Sequence, residues 1–417
     1  MIDFQRIDGP HGIPIYFQRL AVNTVSLNLV MFVGSADDDT GGGHGIYHWL
    51  EHLPSRGTER FPGGYRDTEA RLVRHGGTAD AETGHTHTSM SADVPQRVWS
   101  EALKILVDMM GRPMLRTSDV EAEREIILQE IDEWHSAPYS QSMCDLPSVL
   151  WPNHPLGHDQ LGTPESLAAI DPAMLRTAHQ LGYSRNRCAL FVAGDLSQAE
   201  VIDVVGRHIE RLPDLPIDPR QQPASHGDLP DWRSGKTTTV ESSHEDSVVY
   251  LLFPLGPLRG GESEILQWDF LSDVFSAGAL GSPLHRLIRE DSRLAYSPEF
   301  ISTTNPDGGY AGVVAQTSVD PQRVIDAFWK LIASDEIRSS QWLSYVRDTI
   351  RGSIEMHDPD AGDYTQQASS SLIHYGRCIS DDEYAARMLG YKDDEIGHWL
   401  DQLTQDKSHA VLFRQKR

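Results

Sequence analysis

The sequence predicts a duplicated α+β chain, on three observations. Val94-Pro95-Gln96-Arg97-Val98 recurs as Asp320-Pro321-Gln322-Arg323-Val324, each time opening an amphipathic helix after a strand. The apolar strand Leu27 to Val33 has a counterpart of the same pattern in Val248 to Phe253. Between the halves lies a stretch rich in Pro, Asp and Gln (Pro213, Pro216, Pro219, Pro223, Pro230), the composition of an interdomain linker. Self-similarity over half the chain points to a repeated domain rather than a solenoid of short units. The expected division is a first domain at 1–213, a linker at 214–236 and a second domain at 237–417.

Whole-chain properties narrow the classes. The 417 residues suffice for two cores, and 39% apolar with 23% charged side chains is ordinary for a soluble globular enzyme. With 36 basic against 61 acidic side chains the net charge is −25, which disfavours nucleic acid or an anionic membrane surface as partner and suits basic peptides. Cys144, Cys188 and Cys378 are far apart and form no C-x-x-C pair, as in a reducing compartment. The N-terminus lacks a charged-then-apolar signal layout, and Leu20 to Val33 is too short and polar to span a bilayer. The expected location is the cytoplasm.

In chain order, residues 12–34 read as a strand pair ending in the alternating run Val25 to Val33. The acidic, glycine-rich loop from Gly34 to Gly43 is suited to cap the helix that follows. That helix carries Gly45-Ile46-Tyr47-His48-Trp49-Leu50-Glu51-His52. His48 and His52 are one turn apart, with Glu51 beside them. H-x-x-E-H is the inverted zincin pattern, two zinc-ligating histidines and a glutamate that activates water; the bland alternative is a polar helix surface with two solvated histidines. Pro54 should end or kink the helix, since it lacks an N–H and its ring clashes with the Leu50 carbonyl.

A second helix is expected around Tyr65 to Arg74, then a polar strand from Thr78 to Ser91 in which His85 and His87 face one side, either solvated or a second metal site. Val94 to Met110 has helical period. In the next helix, about Ser118 to Trp134, the apolar side carries Ile126, Ile127, Ile131 and Trp134, with Glu123 and Glu130 on the same side. A carboxylate on a buried stripe needs a compensating cation or hydrogen bonds. Glu130 is therefore a candidate third metal ligand and Glu123 a candidate orienting group, unless both lie at the stripe edge and reach water. A helix near Pro172 to Leu181, the strand Cys188 to Gly194 and a helix from Ala199 to Leu212 complete the first half.

With these pieces together, the chain resembles the pitrilysin and mitochondrial-processing-peptidase family of zinc metallopeptidases, in its short two-domain form. The resemblance rests on Gly45 through His52 with Gly57-Thr58, on Glu123-Arg124 to Glu130, on the Gly76-Gly77 to Thr83 strand, and on Leu287 to Glu290 followed by Leu294 to Ser297. It implies two related α/β-sandwich domains, each a mostly antiparallel sheet with helices on one face, and subunits that pair into a closed chamber. It implies zinc on His48, His52 and Glu130, Glu51 as catalytic base, Glu123 behind a ligand, and Arg289 and Tyr296 at the oxyanion. Asp80, Ala81 and Thr83 correspond to a strand edge that binds an extended peptide. The expected activity is endopeptidase cleavage of oligopeptides or unfolded leader segments, by a homodimer whose active site is shared in trans. The alternatives are a non-catalytic structural subunit and the catalytic subunit of a heterodimer. Two departures stand out: Leu53-Pro54-Ser55 where the family has Met-Leu-Phe, and Asp80-Ala81 where it has Asn-Ala.

Overall fold

Strands at both ends of the sequence's first half come together in one sheet. They are β1 (Gln5–Asp8), β2 (Pro14–Arg19), β3 (Thr24–Met31), β4 (Thr78–Thr83), β5 (Thr88–Pro95) and β6 (Cys188–Gly194), in the order β1-β2-β6-β3-β5-β4. β2 and β6 run parallel and the other pairs antiparallel. This computed structural model describes residues 3–215, 219–230, 237–257, 262–356, 360–405 and 409–415; the 216–218 and 231–236 parts of the expected linker lie outside the described residues.

Two sequence expectations change here. Residues 12–34 do not form a strand pair, because β6 lies between β2 and β3. All seven β6 residues are buried, and a strand apolar on both faces belongs in the middle of a covered sheet. Nor is Thr78 to Ser91 one strand. β4 and β5 form a hairpin whose turn at 84–87 holds both histidines, with the Gly84 N–H donating to the His87 carbonyl at 2.9 Å. His85 Nδ1 lies 3.0 Å from Ser35 Oγ and His87 Nε2 2.7 Å from Glu82 Oε1, and neither histidine falls in a cluster of metal-ligating groups among the described residues.

The sheet is covered on both faces. Val25, Leu27, Leu29 and Met31 pack with Leu103, Leu106 and Met110 of the helix Trp99–Gly111 in the main core. On the opposite face Val30, Phe32 and Phe191 meet Ala368, Leu372 and Ile373 of the helix Ala361–Tyr375. The polar residues that make β3 look half-solvated are buried there. Ser26 Oγ lies 2.7 Å from Thr365 Oγ1, and Asn28 Nδ2 donates to Ser369 Oγ at 3.0 Å, one helical turn further on.

That helix comes from the second half of the sequence, so the compact units do not follow a division at 213 and 237. One unit takes Met1–Asp132, Asn153–His226 and Asp358–Ser380; the other takes Glu133–Pro152, Gly227–His357 and Asp381–Arg417. In the second unit the helix Pro138–Leu150 lies beside the sheet, with Ser142 Oγ 2.7 Å from Tyr250 Oη. Each half thus gives one helix to the sheet of the other. The apolar back of each sheet favours this exchange over burial against local chain alone.

The second unit's sheet comprises β7 (Thr237–Ser242), β8 (Ser247–Leu255), β9 (Glu299–Asn305), β10 (Gly308–Thr317) and β11 (His409–Gln415), ordered β7-β11-β8-β10-β9. This order repeats β2-β6-β3-β5-β4 strand for strand, including the parallel pair β7–β11 in place of β2–β6. The two Pro-Gln-Arg-Val segments fall at equivalent places, leading into the helix Trp99–Gly111 through a 3-10 turn and forming the first turn of the helix Pro321–Ile332. Among the described residues no helix is long and apolar enough to cross a membrane.

Candidate metal centre

The motif helix is short, Ile46–His52, and a 3-10 turn at Leu53–Arg56 follows it, as the proline at 54 requires. Its start is capped from the acidic loop. The buried Asp38 carboxylate accepts the Gly45 N–H at 2.7 Å and the Tyr47 N–H at 3.3 Å. Ile46, Tyr47, Trp49 and Leu50 are buried, which anchors one side of the helix and fixes where its two histidines project. Trp49 lies under the Arg124 guanidinium, 4.7 Å from ring centroid to carbon, which ties this helix to the helix Thr117–Trp134.

Three side chains converge. His48 Nε2 and His52 Nε2 are 3.2 Å apart, and Glu130 Oε2 is 3.6 Å from the first and 3.5 Å from the second. Donors about 2.0–2.1 Å from a tetrahedral zinc stand roughly 3.3–3.4 Å from one another, so this donor set fits a zinc ion. Burial, then the His52 charge, pushes His48 down to about 3. It is therefore neutral at physiological pH, the form that ligates. Glu130 is partly exposed.

The two histidines are held differently. His52 Nδ1 is 3.0 Å from Glu123 Oε1, and the other Glu123 oxygen accepts from Arg56 Nε. Burial pushes the Glu123 carboxyl up, but hydrogen bonds from His52 and Arg56 outweigh it and hold it below its ordinary value. An ionised Glu123 fixes the proton on His52 Nδ1 and leaves Nε2 to face the cluster. His48 Nδ1 is buried with no hydrogen-bond partner among the described residues, so packing alone orients that ring.

Glu51 points elsewhere. Its Oε2 accepts the Thr83 hydroxyl at 2.9 Å, and burial raises its carboxyl to about 7 against the opposing charge of His52. Thr83 ends β4, the edge strand of the sheet, so the motif glutamate touches the strand edge singled out in the sequence. On that strand Asp80 is exposed and accepts the Ala81 N–H at 3.0 Å. A cleft of about 390 Å³ beside Glu51 and His52 is lined by Asp80, Ala81, Met90, Leu106, Met109 and Glu69 among others.

Arg289 and Tyr296 lie in the second unit, apart in sequence grouping from the His/Glu cluster. A π-helical turn at Arg286–Asp291 carries Arg289, whose guanidinium carbon is 4.3 Å from the Tyr296 ring centroid. Tyr296 is 74% exposed, and both line a cavity of about 870 Å³.

One expectation about the Thr117–Trp134 helix is corrected. Its buried stripe is Val120, Glu123, Ile127 and Ile131, whereas Ile126 and Trp134 are 42% and 45% exposed. At 100° per residue, 126 falls off the 120–123–127–131 face. Sequence reasoning missed Arg56 and the Thr83–Glu51 bond. Arg56 stands one turn beyond His52, a position from which a partner for a buried Glu123 could have been inferred.

Residues 18–164 match the family model described as Insulinase (Peptidase family M16), and residues 169–334 match the Peptidase M16 inactive domain. A protein of Mycobacterium leprae described as an uncharacterized zinc protease is 27% identical over 376 residues, covering 88% of this chain and 82% of its own. An uncharacterized zinc protease of Bacillus subtilis is 25% identical, covering 94% and 93%. A protease from Helicobacter pylori shares the fold with a TM-score of 0.87 at 18% identity, covering 99% of both chains. Pitrilysin does so at 0.75 and 16%, with this chain spanning 45% of it. The two models lie end to end along the chain and the H-x-x-E-H helix falls in the first, so the chain belongs to peptidase family M16.

Proposed function

We propose that the chain is a zinc-dependent endopeptidase acting on oligopeptides or unfolded leader segments. The observation that supports this most strongly is the triangle of His48, His52 and Glu130, with edges of 3.2 to 3.6 Å, beside a glutamate that takes no part in it. In this reading His48, His52 and Glu130 hold zinc, which when bound supplies a Lewis acid that lowers the pKa of water and polarises the scissile carbonyl. Glu51 accepts the proton of the attacking water and delivers it to the leaving amine, and Thr83 keeps its carboxylate aimed. The unpaired edge of β4 takes the extended substrate as an added strand, with Asp80 and Ala81 setting its register. Arg289 and Tyr296 stabilise the oxyanion. Since the zinc residues and this pair belong to different units, we place the complete site in a homodimer, each chain lending its Arg/Tyr pair to the partner. The cytoplasm is the proposed compartment, on the basis of three free cysteines.

A mixed peptide library incubated with the protein, with and without a zinc chelator, tests this reading by mass spectrometry. New internal cleavages that vanish with the chelator are expected. An intact library, or cleavage indifferent to chelation, refutes it in favour of a non-catalytic subunit.

A further inference from the structure

A second set of metal-ligating side chains lies at the other end of the motif helix. Asp39, His44 and His158 each present a ligand atom, and these atoms lie within 4.8 Å of one another. The His44 and His158 rings are in edge contact, 3.7 Å between centroids at 69°, and Asp39 Oδ1 is 3.9 Å from His44 Nε2. We propose that Asp39, His44 and His158 form a second divalent transition-metal site, distinct from the His48/His52/Glu130 cluster, that clamps the loop before the motif helix to the 154–162 loop.

Two features support it. First, the Nδ1 atoms of His44 and His158 are both buried and neither meets a hydrogen-bond partner among the described residues. Buried polar atoms are rarely left so, and two imidazoles with a carboxylate form a donor set that suits zinc and its first-row neighbours. Second, the two loops already meet closely. Ser166 Oγ donates to the His44 carbonyl at 2.8 Å. Gly45 and Gly162 adopt φ of 87° and 78°, and a Cβ on either would come within 2.6 Å of a carbonyl oxygen of the opposite loop. The backbone thus holds the His44 and His158 rings edge to face, and Asp39, with a side chain 61% exposed, stands beside His44. Three protein donors leave a position for solvent.

Zinc stoichiometry of the full chain, measured by elemental analysis after equilibration with zinc, tests the proposal. The parent should hold two zinc ions, and His44→Asn and His158→Asn should each hold one. A His48→Asn/Glu130→Gln double variant, in which the new site is untouched, should still hold one and lose it when His158→Asn is added. One zinc in the parent and none in the double variant would overturn the second site, and this arm decides even if His158→Asn fails to fold. If instead the double variant holds as much zinc as the parent while His158→Asn holds one fewer, the zinc assignment under the proposed function is at fault and this site stands.

Discussion

Glu123→Gln isolates the group behind the metal cluster from the cluster itself. The Glu123 side chain is 7% exposed, and it bridges His52 Nδ1 on one oxygen and Arg56 Nε on the other. Glutamine keeps the shape but has one oxygen and no charge. If the amide oxygen faces His52, its NH₂ group confronts the Arg56 guanidinium; if it faces Arg56, the NH₂ group confronts the His52 N–H. Either orientation places donor against donor, and His52 loses the anionic partner that fixes its tautomer. Losses of such outer partners weaken metal binding by about 10–100-fold, or roughly 1.4–2.7 kcal/mol. The assay is zinc competition against a chromogenic chelator, with circular dichroism to verify the fold. Glu121→Gln, on the same helix with a side chain 57% exposed, is the control and should match the parent. Zinc affinity of Glu123→Gln within twofold of the parent, in a folded protein, would refute the argument.

Four further outcomes follow from the same geometry. Glu130→Gln should hold one zinc fewer than the parent, and Glu133→Gln should hold the parent's amount; the reverse pattern reassigns the third ligand. Glu51→Gln should fold and keep its zinc while peptide hydrolysis falls by about 10²–10⁴ or more, as loss of a general base entails; loss of zinc instead would make Glu51 structural. Mixed and exchanged Glu51→Gln and Tyr296→Phe chains should regain activity that neither has alone, because one site of the mixed dimer then has both halves intact; no recovery places all groups in one chain. His179, buried with Nε2 2.8 Å from the Met110 carbonyl, is held down to about 4 by burial. The unfolded chain therefore binds a proton that the native one refuses, so stability is full above about pH 6.5 and falls by up to about 3 kcal/mol as pH drops toward 4. Urea midpoints between pH 7 and 4.5 should fall more steeply for the parent than for His179→Gln, and parallel slopes would remove His179 from the account.

Local physics sufficed for part of this molecule. His48 and His52 share a face because the helix repeat puts i and i+4 together, and Pro54 stops the helix because its ring cannot continue it. The Asp38 cap was legible as an acidic, glycine-rich loop, and the Thr117–Trp134 helix was legible from its period. These depend on interactions within a few residues. The duplication was faint in sequence, a matched Pro-Gln-Arg-Val and a matched strand, but it is complete in topology, because many sequences satisfy the same alternation of buried faces.

Tertiary structure decided the rest. Periodicity put Glu123 and Glu130 on one side of a helix and made them candidates for orienting group and ligand, but it could not show where the histidines lie. The crossing of two helices gives Glu130 to the Nε2 atoms and Glu123 to His52 Nδ1. Alternation puts Ser26 and Asn28 on one face of their strand but does not show what covers that face. A helix more than three hundred residues later supplies Thr365 and Ser369 to pair with them. β6 separates β2 from β3 for the same reason. Strand pairing and helix exchange are settled by which apolar surfaces can be buried together across the whole chain, and no short window of sequence contains both surfaces.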